Sequence, residues 1–217
     1  INNGAYGYVL KPILSGELLK AVNTILGICR DEQRNLELLE QKQKIEQSIS
    51  ILRENYLRNL LYGVITDRQD ILAQSRFLQV DIADKQYCVA YIALESDGEE
   101  KTLFHGMAIV EKLRQKYKPD TQIHFILLDL IHIAVLFADS VKNDVKSKKL
   151  YVQKSQEIID YINESYEAAA TAGIGCVVED MLDICISYTQ ALKALQYKFY
   201  LGKLQVIDTE EVSFEFI

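Results

Sequence analysis

Few residues in this chain have the types and spacing that chemistry requires. The three histidines, His105, His124 and His132, share no metal-ligand spacing such as HxxxH. His124 and His132 flank a predicted β-hairpin turn and could approach each other, but no cysteine or pair of carboxylates lies near them in the sequence. We therefore expect no metal centre.

The four cysteines are scattered along the chain and form no CxxC pair: Cys29, Cys88, Cys176 and Cys185. Each has apolar neighbours in the sequence, where a free thiol behaves as a small hydrophobic side chain. The sequence therefore predicts buried thiols rather than disulfides or metal ligands.

The tripeptide Gly173-Ile174-Gly175 resembles half of a phosphate-binding loop. It lacks the third glycine and the Lys-Ser or Lys-Thr pair that such a loop needs. A simpler interpretation is a strand that another backbone approaches closely. No Ser-His-Asp or Cys-His arrangement can be argued either, so the sequence predicts no catalytic residue and no cofactor.

The composition is that of a globular protein, with 49% hydrophobic and 25% charged residues. The net charge of -7 argues against a surface that grips nucleic acid, since such surfaces need excess Lys and Arg to displace counterions. No apolar run reaches the ~18 residues of a membrane span, and the first residues lack the pattern of a signal peptide. We therefore expect a cytoplasmic protein without membrane contact. Because the chain begins without Met, in what reads as the middle of a strand, we also expect a fragment.

A long helix is predicted from Ser15, a favourable N-cap residue, to about Ile65. A helix of this length cannot bury an apolar stripe alone, so we predict a homodimer through the helical linker. The alternative is a long helix that packs back on its own domain. The stripe follows the alternating steps of four and three that mark a coiled-coil seam: Ile45, Ile49, Leu52 and Tyr56.

From residue 86 onward, the pattern changes to strands that alternate with helices. The order predicted is β-α-β-β-α-β-α-β, which is typical of a ferredoxin-like or nucleotide-cyclase-like sandwich. We therefore expect an α/β (α+β) fold in which helices cover one or both faces of a mostly antiparallel sheet. Strands are predicted at 86–95, twice within 122–139, at 171–180 and at 205–209, with helices at 102–117, 145–166 and 183–201.

Residues 4–22, GAYGYVLKPILSGELLKAV, resemble the last strand and helix of a response-regulator receiver domain. The resemblance implies that Lys11, before Pro12, is the lysine that contacts the phosphoryl group and that Tyr8 is the rotameric switch. The other receiver motifs are absent, so this segment, taken as 1–29, cannot assemble the phosphorylation site. The simpler alternative is a surface lysine before a turn proline.

The motif S-Y-x-Q-A-x-x-A-L at 187–195, with LRENYLRNLLYGVI at 52–65, resembles the central region of AraC-type two-component response regulators. Members of that family often carry a degenerate GGDEF-like domain before a C-terminal helix-turn-helix module. The resemblance implies that a coiled-coil linker at 30–65 follows the receiver fragment. A degenerate GGDEF-like α/β domain then occupies 66–217.

In a working diguanylate cyclase, the β-hairpin of this fold carries the GGDEF loop, but here it reads LLDLIHIAVLF (127–137). It contains one carboxylate, Asp129, and no glycine. A two-metal phosphoryl-transfer site needs several oxygen ligands that converge on Mg²⁺. We therefore expect no enzymatic activity.

The resemblance implies a non-catalytic signal-transduction segment of a bacterial DNA-binding response regulator. A sensor kinase and DNA would then be bound by parts of the protein outside this chain. The alternative is a sensor domain, in which the GGDEF-like fold binds a small molecule without catalysis. An exposed apolar cleft with a few polar groups would favour this alternative.

Overall fold

The structure, a computed structural model, describes residues 15–95, 99–118, 120, 122–140, 144–166, 168–198 and 205–208. The chain divides into two compact units, Ile1–Ile51 and Leu52–Ile217. The predicted segments 1–29, 30–65 and 66–217 stay predictions, and the receiver-like strand lies outside the described residues.

Helix α1 (Ser15–Leu61) confirms the long helix predicted from the sequence. It contains no proline and is rich in Leu, Glu, Gln and Lys, which lose little side-chain freedom in a helix. Two residues after its end, Gly63 adopts a φ of 65°, a left-handed conformation that glycine accepts without strain. None of the helices in the described part of the chain is long and apolar enough to cross a membrane.

The second unit contains every strand among the described residues, in the predicted order. Helix α2 (Arg68–Leu78) begins after Asp67, whose carboxylate accepts hydrogen bonds from the Gln69 and Asp70 N–H groups and so caps the helix. The elements that follow are β1 (Gln86–Glu95), α3 (Glu99–Lys116), β2 (Ile123–Leu127), β3 (His132–Asp139), α4 (Asp144–Ser165), β4 (Ala169–Ile174), a 3₁₀ turn (Met181–Asp183), α5 (Ile184–Gln196) and β5 (Val206–Asp208).

The five strands form one sheet in the order β2-β3-β1-β4-β5. All neighbours are antiparallel except β4 and β5, which are parallel because α5 connects them as a crossover. Strand β1 is central, and its nearly continuous apolar sequence is buried along almost its whole length, as expected for a strand covered on both faces.

Helices cover both faces of the sheet. Because successive strand residues point to opposite faces, Cys88 and Ile92 of β1 pack under α3 and α4, whereas Tyr87 and Val89 pack under the end of α1 and α2. Helix α5 covers the second face beside Tyr91. The α/β fold class predicted from the sequence is confirmed, with helices on two faces rather than one.

Helix α5 lies directly on strand β4, backbone against backbone. A Cβ atom added to Gly173 would lie 2.1 Å from the Ala191 carbonyl oxygen, and one added to Gly175 would lie 2.0 Å from that of Ser187. These glycines therefore serve close helix–strand packing, which confirms the simpler of the two interpretations of the Gly-Ile-Gly sequence.

Gly173→Ala should lower the free energy of unfolding by about 3 kcal/mol, because the added methyl group overpacks the contact with α5. Urea unfolding followed by near-UV circular dichroism of the tyrosines measures this. Gly27→Ala is the matched control: apart from the backbone of its own helix, no atom lies within 4 Å of the added Cβ, and alanine favours a helix over glycine. Equal stability of the two variants would contradict the packing described.

Candidate functional site

The turn of the β2–β3 hairpin is closed by one carboxylate. Asp129 Oδ1 accepts hydrogen bonds from the backbone N–H groups of Ile131 and His132, each at 2.9 Å. Aspartate commonly stabilises a turn in this way, by bonding to backbone groups two and three residues ahead. The side chain of Asp129 thus supports the turn without a glycine.

Asp129 also pairs with the imidazole of His132. Its Oδ2 lies 2.8 Å from His132 Nδ1. Burial raises the pKa of Asp129, but the hydrogen bonds from His132 and Ile131 outweigh it, and the pKa lies below its usual value. The carboxylate is therefore ionised at neutral pH and is engaged on both oxygens.

Three tyrosines extend from this pair across the sheet face, and we call them the tyrosine cluster: Tyr62, Tyr91 and Tyr188. The His132 ring lies 5.3 Å from that of Tyr91, which lies 5.8 Å from that of Tyr188. The Tyr188 ring in turn meets that of Tyr62 edge-on at 5.7 Å. Burial raises the pKa of both Tyr91 and Tyr188, so their hydroxyls are protonated and act as neutral hydrogen-bonding groups.

Two arginines bind the outer edge of strand β2. Arg58, near the end of α1, donates to the Leu127 carbonyl at 2.6 Å, and Arg114 of α3 donates to the Phe125 carbonyl at 2.9 Å. Glu54 links them, with its carboxylate 3.7 Å from Arg58 and 3.3 Å from Arg114. Since β2 is an edge strand, these charged donors occupy carbonyls that another chain could otherwise pair with. They also join the last turns of α1 to the hairpin.

Sequence reasoning did not single out these arginines or the tyrosine cluster. Glu54 and Arg58 are four residues apart on a helix, and this spacing is typical of an ion pair. Arg114 lies on a different helix and Tyr188 is far along the chain, so only the tertiary structure brings them to the hairpin.

His124 and His132 do not meet. His124 faces Leu136 across the hairpin, whereas His132 pairs with Leu128, which puts the histidines roughly 13 Å apart along the strands. Within the described ranges, no group of three His, Cys, Asp or Glu side chains could hold a metal ion. The side chain of His105 lies outside the described residues.

His124 is half-buried near Lys85, Asp81 and Asp120, and its Nε2 is buried without a hydrogen-bond partner. Burial, supported by the positive charge of Lys85, lowers the pKa of His124 to about 4. This histidine is therefore neutral at physiological pH.

The predicted seam residues have different environments. Ile45 and Leu52 are 59% and 50% exposed, and Ile49 is partly exposed. Tyr56 is only 2% exposed, and its hydroxyl donates to the Ile71 carbonyl at 2.9 Å. Because α2 folds over that side of α1, Tyr56 faces the interior of its own unit rather than a seam. The seam through the other three residues stays a prediction.

The remaining predicted residues are the receiver-type pair and the cysteines. Lys11 and Tyr8 lie outside the described residues. Cys88 is buried as expected, and burial raises the pKa of its thiol. Cys29 is exposed, contrary to the prediction, since its position on α1 is not covered.

Comparison with known protein families gives a match over more than half of the chain. The family described as the GGDEF-like domain matches residues 62–197, which include strands β1 to β4 and helices α2 to α5. No curated protein matches the chain.

The lowered pKa of His124 predicts a pH dependence of stability. Between about pH 6.5 and about pH 4 the unfolded chain binds a proton at this residue and the folded chain does not, so stability is complete above this window and falls as the pH is lowered through it. Urea unfolding measures the free energy of unfolding at about pH 7 and at about pH 5. The decrease between these pH values should be about 1–2 kcal/mol larger for the native chain than for His124→Gln. Identical losses in the two proteins would contradict it.

Proposed function

The chain belongs to the GGDEF-like domain family, and from this premise we propose that it is a non-catalytic signal-transduction segment of a bacterial response regulator. In this proposal, a receiver domain that is phosphorylated by a sensor kinase precedes α1, and a DNA-binding module follows the α/β unit. Helix α1 relays the phosphorylation state of the receiver domain to the DNA-binding module.

The observation that carries the proposal is the way the last turns of α1 are built into the α/β unit. Leu57, Leu60 and Leu61 are buried against the same sheet face as Val89 and Leu136. A helix that only tethered two domains would not need to contribute to the core of either. A rotation or shift of this part of α1 must therefore displace core side chains, which is the kind of discrete rearrangement that coupling requires.

The polar contacts of α1 support a relay to the hairpin. Arg58 binds the last residue of β2, and Glu54 connects it to α3 through Arg114. Partly exposed ion pairs contribute little to stability by themselves. The charge-assisted hydrogen bonds from the arginines to backbone carbonyls, however, fix the position of α1 relative to strand β2. Movement of α1 would reach the hairpin through these bonds.

The hairpin itself supports the absence of catalysis. Phosphoryl transfer with two metal ions needs several free oxygen ligands. Asp129 uses Oδ1 for the turn and Oδ2 for His132. Helix α3 also packs against the turn, because a Cβ added to Gly106 would lie 2.4 Å from the Leu130 carbonyl oxygen. These contacts favour a turn that is closed by its own side chain over one that receives a nucleotide.

The partner proposed for α1 is a second copy of the chain. Ile45 and Leu52 expose more than half or about half of their side chains on a helix whose other residues are largely polar. Burial of each CH₂ group stabilises a complex by about 0.8 kcal/mol. Pairing with the same apolar stripe on a second copy would therefore stabilise a dimer. A homodimer through the linker would also provide the two discrete arrangements that a relay needs.

The alternative function, a sensor that binds a small molecule without catalysis, is favoured by the tyrosine cluster. Tyr62 is half-exposed beside Tyr188, and the Asp129–His132 pair lies at the other end of the cluster. Aromatic faces with protonated hydroxyls suit a planar polar ligand.

One experiment separates these functions. The chain, incubated with GTP or ATP and Mg²⁺, should form no product by chromatography and show no binding by calorimetry, because Asp129 is already engaged. Binding without turnover that is lost in Tyr62→Ala would favour the sensor. Turnover abolished by Asp129→Ala would overturn the proposal of a non-catalytic domain.

The relay predicts a dependence on helix phase in the intact regulator. One residue inserted between Glu40 and Lys44 rotates the downstream part of α1 by about 100°, whereas seven residues restore its phase to within about 20°. Phosphorylation-dependent transcription should be changed or abolished by the single insertion and largely kept with seven. If both insertions behave alike, α1 is a passive tether.

A further inference from the structure

A groove of about 430 Å³ lies between the last turns of α1 and helix α2. Tyr56 is buried in its wall, and Leu52 and Phe77 lie along it. Phe77 is 77% exposed, more than any other large apolar side chain among the described residues. An exposed phenylalanine beside an exposed leucine costs free energy in water, and such a patch marks an interaction surface.

The groove is uncharged. Its polar lining residues are amides, Asn55, Asn59 and Gln74, and none of the side chains that form it is ionised. Each amide both donates and accepts hydrogen bonds, so that it can pair with its own copy across a two-fold axis. A charged lining would instead repel itself in a symmetric contact and would favour a partner of opposite charge.

Two residues of the groove continue the sequence spacing of the predicted seam. Ile45, Leu52 and Asn59 follow each other at intervals of seven residues, so they fall on one line along a coiled coil. Tyr56, which sequence reasoning placed on the seam, points into the unit instead, and Asn55 and Asn59 take its place on the exposed side. An asparagine on this line can donate to and accept from its own copy across the axis.

We propose that this groove binds the α1 helix of a second copy of the chain, as the end of the dimer interface. This inference rests on the homodimer in the proposed function. It adds the place where the dimer interface ends, next to the α/β unit. The Leu52 and Asn59 side chains meet their own copies near the two-fold axis, and Phe77 of α2 covers the flank of the partner's helix. The dimer is then held by α2 as well as by α1.

Sedimentation equilibrium of the chain tests the proposal. Phe77→Asp should raise the dissociation constant by about tenfold or more, since it puts a charge into an apolar contact. Met107→Asp is the matched control, a 60% exposed apolar residue on α3, and should leave the constant unchanged. Asn59→Asp should weaken the dimer most at low salt, because two carboxylates then face each other across the axis.

The outcomes separate the groove from the seam. If Phe77→Asp behaves like Met107→Asp, the groove is not part of the interface, although a dimer through α1 still stands. If Ile45→Asp leaves the dimer intact and Phe77→Asp dissociates it, the groove stands and the helical seam fails. A native chain that is monomeric at about 100 μM overturns both. Circular dichroism of each variant verifies that loss of the dimer is not loss of the fold.

Discussion

The burial of the last turns of α1 against the sheet is the interaction on which most of the structure depends. Leu60 and Leu61 cover a face that also contains Val89 and Leu136, and without them these strand residues would be exposed to water. This contact also explains why α2 folds back, since Ile71 and Leu78 complete the cover and enclose Tyr56. The last turns of α1 are thus part of the core of the second unit.

The hairpin follows from a second constraint, the edge position of β2. An edge strand with free carbonyls invites pairing with another chain, and here arginines from α1 and α3 occupy them. The turn next to them needs support without glycine, which Asp129 supplies through the Ile131 and His132 N–H groups. The carboxylate of the hairpin turn is therefore used to stabilise the fold.

Together these contacts connect the last turns of α1, helix α3 and the hairpin. Glu54 touches both arginines, and the arginines bind the same strand. Under the proposed function, a movement of α1 would be transmitted to the hairpin turn through these contacts. In the proposed dimer, a second helix bound beside Phe77 would contact the last turns of α1, which are also packed into the core.

The sequence by itself determined what depends on neighbouring residues. Helical periodicity predicted α1, the alternation of apolar runs predicted the order of strands and helices, and the hairpin composition excluded a glycine-rich loop. Only the tertiary structure decided which surfaces meet. Tyr56 fits a coiled-coil seam by spacing, yet α2 covers it, and His124 and His132 are near in sequence but separated by strand register. The tyrosine cluster and the bond from Arg58 to Leu127 join residues far apart in the chain, and periodicity, which reports one element at a time, carries no information about such contacts.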